Sequence, residues 1–297
     1  MKLTITGLSR TYQNGVKALD GVNLEIGEGM FGLLGPNGAG KSTLMRTIAS
    51  IQAPDHGKIM LDDIDVINDP MSLRKVLGYL PQEFGVYPKI SASHLLEYFA
   101  ALKGISRAAE RSKAVKSALE AVNLFDERNQ YVAGFSGGMK RRFGIAQLLL
   151  GKPKLIIVDE PTAGLDPSER NRFLNVLREI ASSNIIIFST HIVEDIKDLC
   201  SDMAIISGGR ILRQSAPLKA AEEMEGKIWQ RTLERAMLED AERRYFVLSS
   251  RYESDGQVII RIYSEARLGD GFSPSQPGLE DVYFYELEKG SNLNKAG

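Results

Sequence analysis

The sequence has one cysteine, almost no net charge and no long apolar run. Cys200 is the only cysteine in 297 residues, so an intrachain disulfide is excluded, and we expect this residue in the core. Lys and Arg number 37 against 38 Asp and Glu, which gives no basic footprint for nucleic acid. No apolar run approaches the ~18 residues of a membrane helix, and the N-terminus lacks a secretory core. We therefore expect no membrane span, no signal peptide and no nucleic-acid partner.

A glycine-rich loop is the first pattern that indicates chemistry. Residues 35–43 fit G-x-x-x-x-G-K-[ST], follow the apolar run 30–34 and open a predicted helix over 42–50. Glycines let backbone N–H groups curl around phosphate oxygens, and a helix N-terminus adds positive potential. The pattern predicts that Lys41 reaches the β- and γ-phosphates of a nucleotide and that the Ser42 hydroxyl binds Mg²⁺. The predicted phosphate-binding residues are Gly35, Pro36, Asn37, Gly38, Ala39, Gly40, Lys41, Ser42 and Thr43.

Two carboxylates follow a second apolar run. Residues 155–158 read Leu-Ile-Ile-Val, which is typical of a strand buried on both faces, and Asp159 and Glu160 come at its carboxyl end. Open α/β sheets place their ligands at that end. An aspartate there suits Mg²⁺, and a neighbouring glutamate suits the orientation or deprotonation of a water. The alternative is that both carboxylates only cap the turn that follows.

Three further polar residues come at the ends of predicted strands or helices. Gln82 ends a short strand, and His191 follows a predicted buried strand over 185–190, at the sheet edge where the nucleotide is expected. Either could instead be an ordinary polar or structural residue. Asp166 precedes Pro167, which is the pattern of a helix N-cap whatever other role Asp166 has.

The most informative segment is a second glycine-rich helix start, Ser136-Gly137-Gly138, hereafter the signature segment. Together with the phosphate loop, Gln82, the Asp159-Glu160 pair, Asp166 and His191, it resembles the motif order of an ABC-transporter ATP-binding subunit. The resemblance covers residues 1 to about 215 with similar spacing.

The resemblance implies a role for each of these residues. Gln82 would link Mg²⁺ and water to a membrane partner, Asp159 would bind Mg²⁺, and Glu160 would be the catalytic carboxylate with His191 beside it. The signature segment and Asp166 would cross to a second subunit, either another copy of this chain or a homologous ATPase subunit, so that two subunits paired head to tail hold each ATP between them. Tyr12 matches the aromatic residue that stacks on adenine, although it could instead be an edge-strand tyrosine.

The sequence departs from the family pattern at one position. Met139 stands where a glutamine usually follows the two glycines, which removes an amide but leaves the proposed phosphate contacts. The run from Gly137 to Arg142 resembles subunits of drug-, antibiotic- and lipid-exporting systems. An importer subunit, or a soluble ATPase acting on ribosomes or DNA, remains the alternative. We expect the basic residues 140–142 to form a solvated helix face.

These patterns predict an α/β fold with a P-loop NTPase core. We expect an N-terminal antiparallel layer, a parallel sheet and a helical insert over about 84–150, all within residues 1–215. Residues 216–297 should form a small α+β appendage, with a hairpin at Asp255-Gly256, a charged helix over 234–245 and a loop over 271–278. This appendage is expected to be a structural extension or a brace for the dimer, and the alternative is a sensor of a small molecule.

The resemblance also implies where the protein acts and with which partners. The Gln82–Pro88 loop and the helical insert would receive a separate polytopic membrane permease. The chain would then lie at the cytoplasmic face of a membrane, as a peripheral subunit.

Overall fold

The computed structural model describes residues 1–81, 85, 89–151, 153–162, 165–181, 184–253, 255–269 and 271–295. The strands are β1 Leu3–Thr11, β2 Lys17–Ile26, β3 Gly29–Leu34, β4 His56–Leu61, β5 Ile64–Asp65, β6 Leu77–Leu80, β7 Leu155–Asp159, β8 Ile185–Thr190, β9 Asp202–Ser207, β10 Arg210–Ser215, β11 Ile228–Glu234, β12 Phe246–Tyr252, β13 Gln257–Tyr263 and β14 Ser273–Pro274. The helices are α1 Lys41–Ile48, α2 Pro70–Val76, α3 Ala92–Leu102, α4 Ala108–Ala121, α5 Gly137–Leu149, α6 Pro167–Ile180, α7 Val193–Leu199, α8 Pro217–Glu222, α9 Leu238–Arg244 and α10 Leu279–Lys295.

A six-stranded sheet forms the centre of the molecule, in the order β10-β9-β3-β8-β7-β6. All neighbouring pairs are parallel except β10 with β9 at one edge. In the register, Leu34 of β3 lies opposite Thr190 of β8, and Ser189 lies opposite Asp159 of β7. The carboxyl ends of these three strands therefore meet, and the segments that follow them start side by side.

The parallel strands are buried on both faces because their side chains alternate between two cores. Ile157 and Ile187 point into the core that β1, β2 and β4 cover. Ile156 and Phe188 point into the other core, which the helices cover. A strand buried on both faces requires a largely apolar run, and the burial of residues 155–158 and 185–190 confirms their interpretation as such strands.

The N-terminal layer and the helical insert lie on opposite sides of this sheet. The antiparallel sheet β2-β1-β4-β5 covers α1 and one face of the parallel sheet. Helices α3, α4 and α5 pack together on the other face. Ser91 accepts a hydrogen bond from the backbone N–H of His94 at 3.5 Å, so it caps α3 as its sequence position predicts. The predicted P-loop core, antiparallel layer and helical insert are thus all present.

The C-terminal segment forms an antiparallel sheet in the order β12-β13-β11-β14, which packs with α8, α9 and α10. One side of it has a small core of its own, which includes Val258 and Ile260. Residues of α8, β12 and α10 belong instead to the large helical core. Arg261 also forms an ion pair with Asp281 at 2.7 Å, and this pair ties β13 to α10.

Several local predictions for the C-terminal segment, residues 216–297, need correction or refinement. The predicted hairpin is present as β12 and β13. The predicted helix over 234–245 is a 3₁₀ turn, Arg235–Met237, followed by α9. The predicted loop over 271–278 contains β14, because Ser273 and Pro274 pair with β11. The predicted domain boundary at 215 falls between β10 and α8 and stays a prediction.

Cys200 is buried as expected, and burial raises the pKa of its thiol. In the described part of the chain, no helix is long and apolar enough to cross a membrane.

Candidate ATP-binding site

Residues 37–43 of the phosphate loop line a cavity of about 590 Å³ at the carboxyl end of β3, whereas the predicted residues Gly35 and Pro36 are not in its lining. Such a volume lies within the range of small-molecule and nucleotide pockets. The predicted residues that line it are Tyr12, Asn37, Gly38, Ala39, Gly40, Lys41, Ser42, Thr43 and Glu160.

Backbone contacts with two other segments fix the loop. The Gly209 N–H donates to the Ala39 carbonyl at 3.0 Å, and the Asp20 N–H donates to the Gly209 carbonyl at 2.9 Å. Gly40 has φ +107°, and a Cβ there would lie 2.4 Å from the Ala18 carbonyl oxygen. Only glycine fits at such a position, because a side chain would meet backbone.

Lys41 is the buried cation of the cavity, with 4 % of its side chain exposed. Its Nζ donates to the Gly35 carbonyl at 2.7 Å and to the Pro36 carbonyl at 3.1 Å. It also lies 3.4 Å from Glu160 Oε1. The ammonium of Lys41 therefore donates to two carbonyls of its own loop and pairs with one carboxylate, and phosphate oxygens could replace these partners.

Glu160 lies between Lys41 and His191. His191 Nδ1 is 3.5 Å from Glu160 Oε2. The Glu160 backbone has φ +42°, which a non-glycine residue rarely adopts. This turn takes the side chain out of the line of β7 and toward the cavity. Strained backbone of this kind clusters at functional sites.

Asp159 is buried beside Glu160, with a serine as its partner. The Ser189 hydroxyl donates to Asp159 Oδ1 at 2.7 Å and accepts from the Glu160 N–H at 2.9 Å. One hydroxyl thus fixes both acidic positions. Tyr79 is partly buried nearby, and its burial together with the negative charge of Asp159 raises the pKa of the phenol.

Tyr12 lies at the edge of the same cavity. Its hydroxyl is 3.0 Å from Thr43 Oγ1 and 3.4 Å from Gln52 Oε1. These contacts hold the ring beside the phosphate loop, where a base could stack on it.

The signature segment and Asp166 start two other helices. Ser136 caps α5, accepting from the Met139 N–H at 3.1 Å, and Asp166 caps α6, accepting from the Glu169 N–H at 2.9 Å. In the described residues, the lining of the cavity includes neither of them. Gln82 lies outside the described residues, so its place in the site stays a prediction.

The sequence patterns missed a buried carboxylate that links three segments around the site. Asp195 Oδ2 accepts from the hydroxyls of Thr162 at 3.1 Å and Thr190 at 3.3 Å, and Oδ1 accepts from Arg170 Nε at 2.8 Å. Thr162 follows the acidic pair, Thr190 precedes His191 and Arg170 lies in the first turn of α6. The polar end of the apolar run 185–188 was the only signal for this network.

Arg142 also differs from its prediction. Only 8 % of its side chain is exposed, and Nη1 donates to the carbonyls of Val122 at 3.1 Å and Asn123 at 3.0 Å. The expectation of a solvated basic face is therefore wrong for this residue. A buried guanidinium can satisfy backbone carbonyls at the end of a neighbouring helix, and sequence spacing does not reveal such a partner.

Comparison with known proteins agrees with this geometry. The sequence model of the ABC transporter family matches residues 19–163. The chain is 30 % identical over 295 residues to an uncharacterized ABC transporter ATP-binding protein, YxlF of Bacillus subtilis, and the match covers 95 % of this chain and 98 % of YxlF. The chain belongs to the ABC transporter ATP-binding proteins. It is an ATPase subunit.

Two further relatives extend the comparison. The chain is 33 % identical over 211 residues to the daunorubicin/doxorubicin resistance ATP-binding protein DrrA of Streptomyces peucetius, covering 70 % of this chain and 63 % of DrrA. A dimeric structure of the ATP-binding cassette MJ0796, in a post-hydrolysis state with ADP and Pi, matches with a TM-score of 0.65 and 25 % identity, covering 72 % of this chain and 98 % of the cassette. The resemblance to ABC ATP-binding subunits of the drug-exporter type is thereby confirmed.

Proposed function

We propose that this ATPase subunit powers export through a separate membrane permease, by closing a head-to-tail dimer of two ATP-binding subunits around ATP. One observation carries the dimer proposal. The chain contains two glycine-rich helix starts, and of these two only the phosphate loop is among the described residues that line the cavity. The signature segment then has a nucleotide to bind only on another subunit.

Within each site, the residues divide the work. Lys41 exchanges its two carbonyl contacts for phosphate oxygens, and Tyr12 stacks on the adenine. The phosphate loop has the features that a phosphate needs, since Gly38 and Gly40 both have positive φ and a buried ammonium lies behind them. The partner subunit contributes the Ser136 hydroxyl and the glycine N–H groups.

The donor set also fits Mg²⁺. Ser42 supplies a hydroxyl and Asp159 a buried carboxylate, and we assign Gln82 to the same ion. A site with one carboxylate suits Mg²⁺ bound mainly through nucleotide oxygens and water. When bound, the ion neutralises charge on the phosphates.

Hydrolysis depends on Glu160. Its carboxylate orients an attacking water and accepts its proton as the water oxygen bonds to the γ-phosphorus and the bond from that phosphorus to the oxygen of the leaving ADP breaks. His191, whose Nδ1 is 3.5 Å from the carboxylate, holds the carboxylate and contacts the γ-phosphate. Asp166 crosses the dimer beside the site. The loss of phosphate then removes the contact with the partner's signature segment, and the dimer opens.

Export is favoured by sequence similarity to the resistance protein DrrA and by the run from Gly137 to Arg142. The Gln82–Pro88 loop and the helical insert are proposed to receive the permease, which places the chain at the cytoplasmic face of a membrane. The C-terminal α+β segment, residues 216–297, is proposed to brace the ATPase domain, because α10 shares its large core.

The test of dimer closure uses Glu160→Gln, which keeps the size of the side chain but removes the base. General-base catalysis contributes about 10²–10⁴-fold, so we expect a rate at least about 100-fold lower and a stable ATP-bound dimer in size-exclusion chromatography. Glu239→Gln, on a side chain that is 86 % exposed, is the matched control. A Glu160→Gln variant that stays monomeric and hydrolyses ATP at the wild-type rate contradicts the proposal.

The direction of transport is tested by purification of the native complex. A complex with a polytopic membrane chain alone supports export. Co-purification with a solute-binding protein supports import, and co-purification with ribosomes or DNA supports the soluble alternative.

A further inference from the structure

Gly138 has a close neighbour within its own chain, although Gly137 beside it has none. An ideal Cβ on Gly138 would lie 2.1 Å from Glu169 Oε2 and 2.5 Å from Glu169 Cδ. A Cβ on Gly137 would have no atom within 4 Å. Both residues lie in the first turn of α5, and neither needs positive φ. A contact within the chain therefore explains why residue 138 is a glycine, but no such contact explains Gly137.

Glu169 cannot move away from Gly138 without a cost. Its side chain is 19 % exposed, and Oε2 lies 3.5 Å from Arg142 Nη2. Arg172 Nη1 lies 3.5 Å from the other oxygen. Among the described residues, neither Glu169 Oε2 nor Arg142 Nε makes a hydrogen bond, although both atoms are buried. Displacing the carboxylate would leave the Arg142 guanidinium buried with its counter-charge removed, which is unfavourable.

Glu169 also belongs to the helix that Asp166 caps. Its backbone N–H donates to Asp166 Oδ1 at 2.9 Å. One residue therefore contacts the start of α6 through its backbone and the start of α5 through its side chain. Asp166 and Ser136 are the caps of these two helices, and both are proposed to face the second subunit.

We propose that Glu169 is a positioning residue, which packs on Gly138 and, with Arg142, fixes the signature segment relative to Asp166. The contact exists within one chain, so it is present before any nucleotide or partner binds. Its consequence for catalysis rests on the proposed dimer: misplacing either helix start weakens the closed dimer but leaves the phosphate loop of the same chain intact.

The first test measures stability without nucleotide and so does not depend on the dimer. In the full-length chain, Gly138→Ala should lower Tm by about 3 °C, a typical shift for a change of ~1 kcal/mol in a chain of this size class. Gly137→Ala is the matched control and should leave Tm unchanged or slightly raised, because alanine favours helix over glycine. In the Glu169→Ala background, whose own Tm is the reference because that variant already leaves Arg142 unpaired, Gly138→Ala should lower Tm by much less than it does in the wild type.

The second test separates positioning from a purely structural role. Glu169→Gln keeps the shape but removes the charge that faces Arg142. We expect the affinity of the monomer for a fluorescent ATP analogue to change less than twofold, while kcat falls about tenfold and ATP-dependent dimerisation weakens in the Glu160→Gln background. Glu169→Asp, which keeps the charge, should recover part of the rate.

Two results would overturn the proposal. Equal Tm changes for Gly137→Ala and Gly138→Ala, or the same Tm loss from Gly138→Ala with and without Glu169→Ala, would show that the contact with Glu169 is not the reason for the glycine at position 138. A wild-type kcat in Glu169→Gln would leave Glu169 without a role in catalysis. If the stability results hold while no variant dimerises with ATP, the dimer has failed and the contact within the chain has not.

Discussion

Two glycine-rich helix starts, at Gly40 and at Gly137, differ in what surrounds them. Gly40 faces the Ala18 carbonyl of the N-terminal sheet, and the phosphate loop around it lines a cavity together with Glu160. Gly137 faces open space. At the phosphate loop, other segments of the same chain contact the glycine-rich turn. At the signature segment, the chain contacts Gly138 through Glu169 but leaves Gly137 uncovered. No contact within the described part of the chain explains Gly137, and under the proposed function this glycine serves the contact with the second subunit.

The strongest way to break this comparison is to add the same methyl group at both positions. Gly40→Ala should destabilise the protein by roughly 3 kcal/mol, because alanine is strained at φ +107° and would meet backbone. Nucleotide binding should be lost. Gly137→Ala should keep its stability and the affinity of the monomer for nucleotide, but lose ATPase activity at saturating ATP.

Thermal unfolding and nucleotide titration of both variants measure the difference. If Gly137→Ala unfolds as early as Gly40→Ala, the chain constrains both helix starts and the contrast between them fails.

A substitution of Tyr12 should have a smaller effect, and it tests how the phosphate-loop cavity holds the adenine. Tyr12→Ala should weaken ATP binding about tenfold, because stacking of a base on an aromatic ring contributes ~1–3 kcal/mol. Tyr12→Phe keeps the ring and loses only the 3.0 Å contact of the hydroxyl with Thr43, so its effect should be smaller. Equilibrium titration with an ATP analogue distinguishes them. Equal losses in the two variants would mean that the hydroxyl, and not the ring, holds Tyr12 in its role.

The smallest expected effect concerns α10 in the C-terminal segment, which packs against α7, the helix that follows His191. Burial and the neighbouring Glu194 raise the pKa of Glu280 above its ordinary 4.5. The folded state then keeps a proton that the unfolded chain has lost. This contribution to stability is present below pH 4.5 and is lost as pH rises through the raised pKa.

Glu280→Gln removes this dependence. Between pH 4.5 and 7, the Tm of the variant should rise relative to wild type, on the order of 1 °C. Differential scanning calorimetry at both pH values measures it, with Glu239→Gln as the control. If Tm depends on pH in the same way in Glu280→Gln and in the wild type, the Glu194–Glu280 contact does not couple proton binding to stability.

The sequence predicted most of the fold because local pattern and burial agree. The runs 155–158 and 185–188 are apolar on both faces, so their strands and their place in the central sheet follow. The phosphate loop could be predicted equally well, because its glycines, Lys41 and the strand before it all follow one sequence pattern. Short elements such as β14 were missed, because two residues carry no periodicity.

Contacts that join distant segments through single side chains were not predicted. Asp195 reaches Thr162 and Arg170, and Glu169 reaches Gly138, across 25 to 33 residues. Such partners depend on how helices pack, and the same residue types are common on exposed helix faces. Arg142 illustrates the error: its neighbours in sequence are basic, but the end of α4 buries it.

The central claim is that each ATP site takes its phosphate loop from one subunit and its signature segment from another. Mixing two inactive variants, Lys41→Ala and Ser136→Arg, tests it directly by ATPase activity. In a mixed dimer, one site has both intact halves, so random pairing should restore about a quarter of the wild-type rate. Activity of the mixture that stays at the level of its two inactive components would contradict the account.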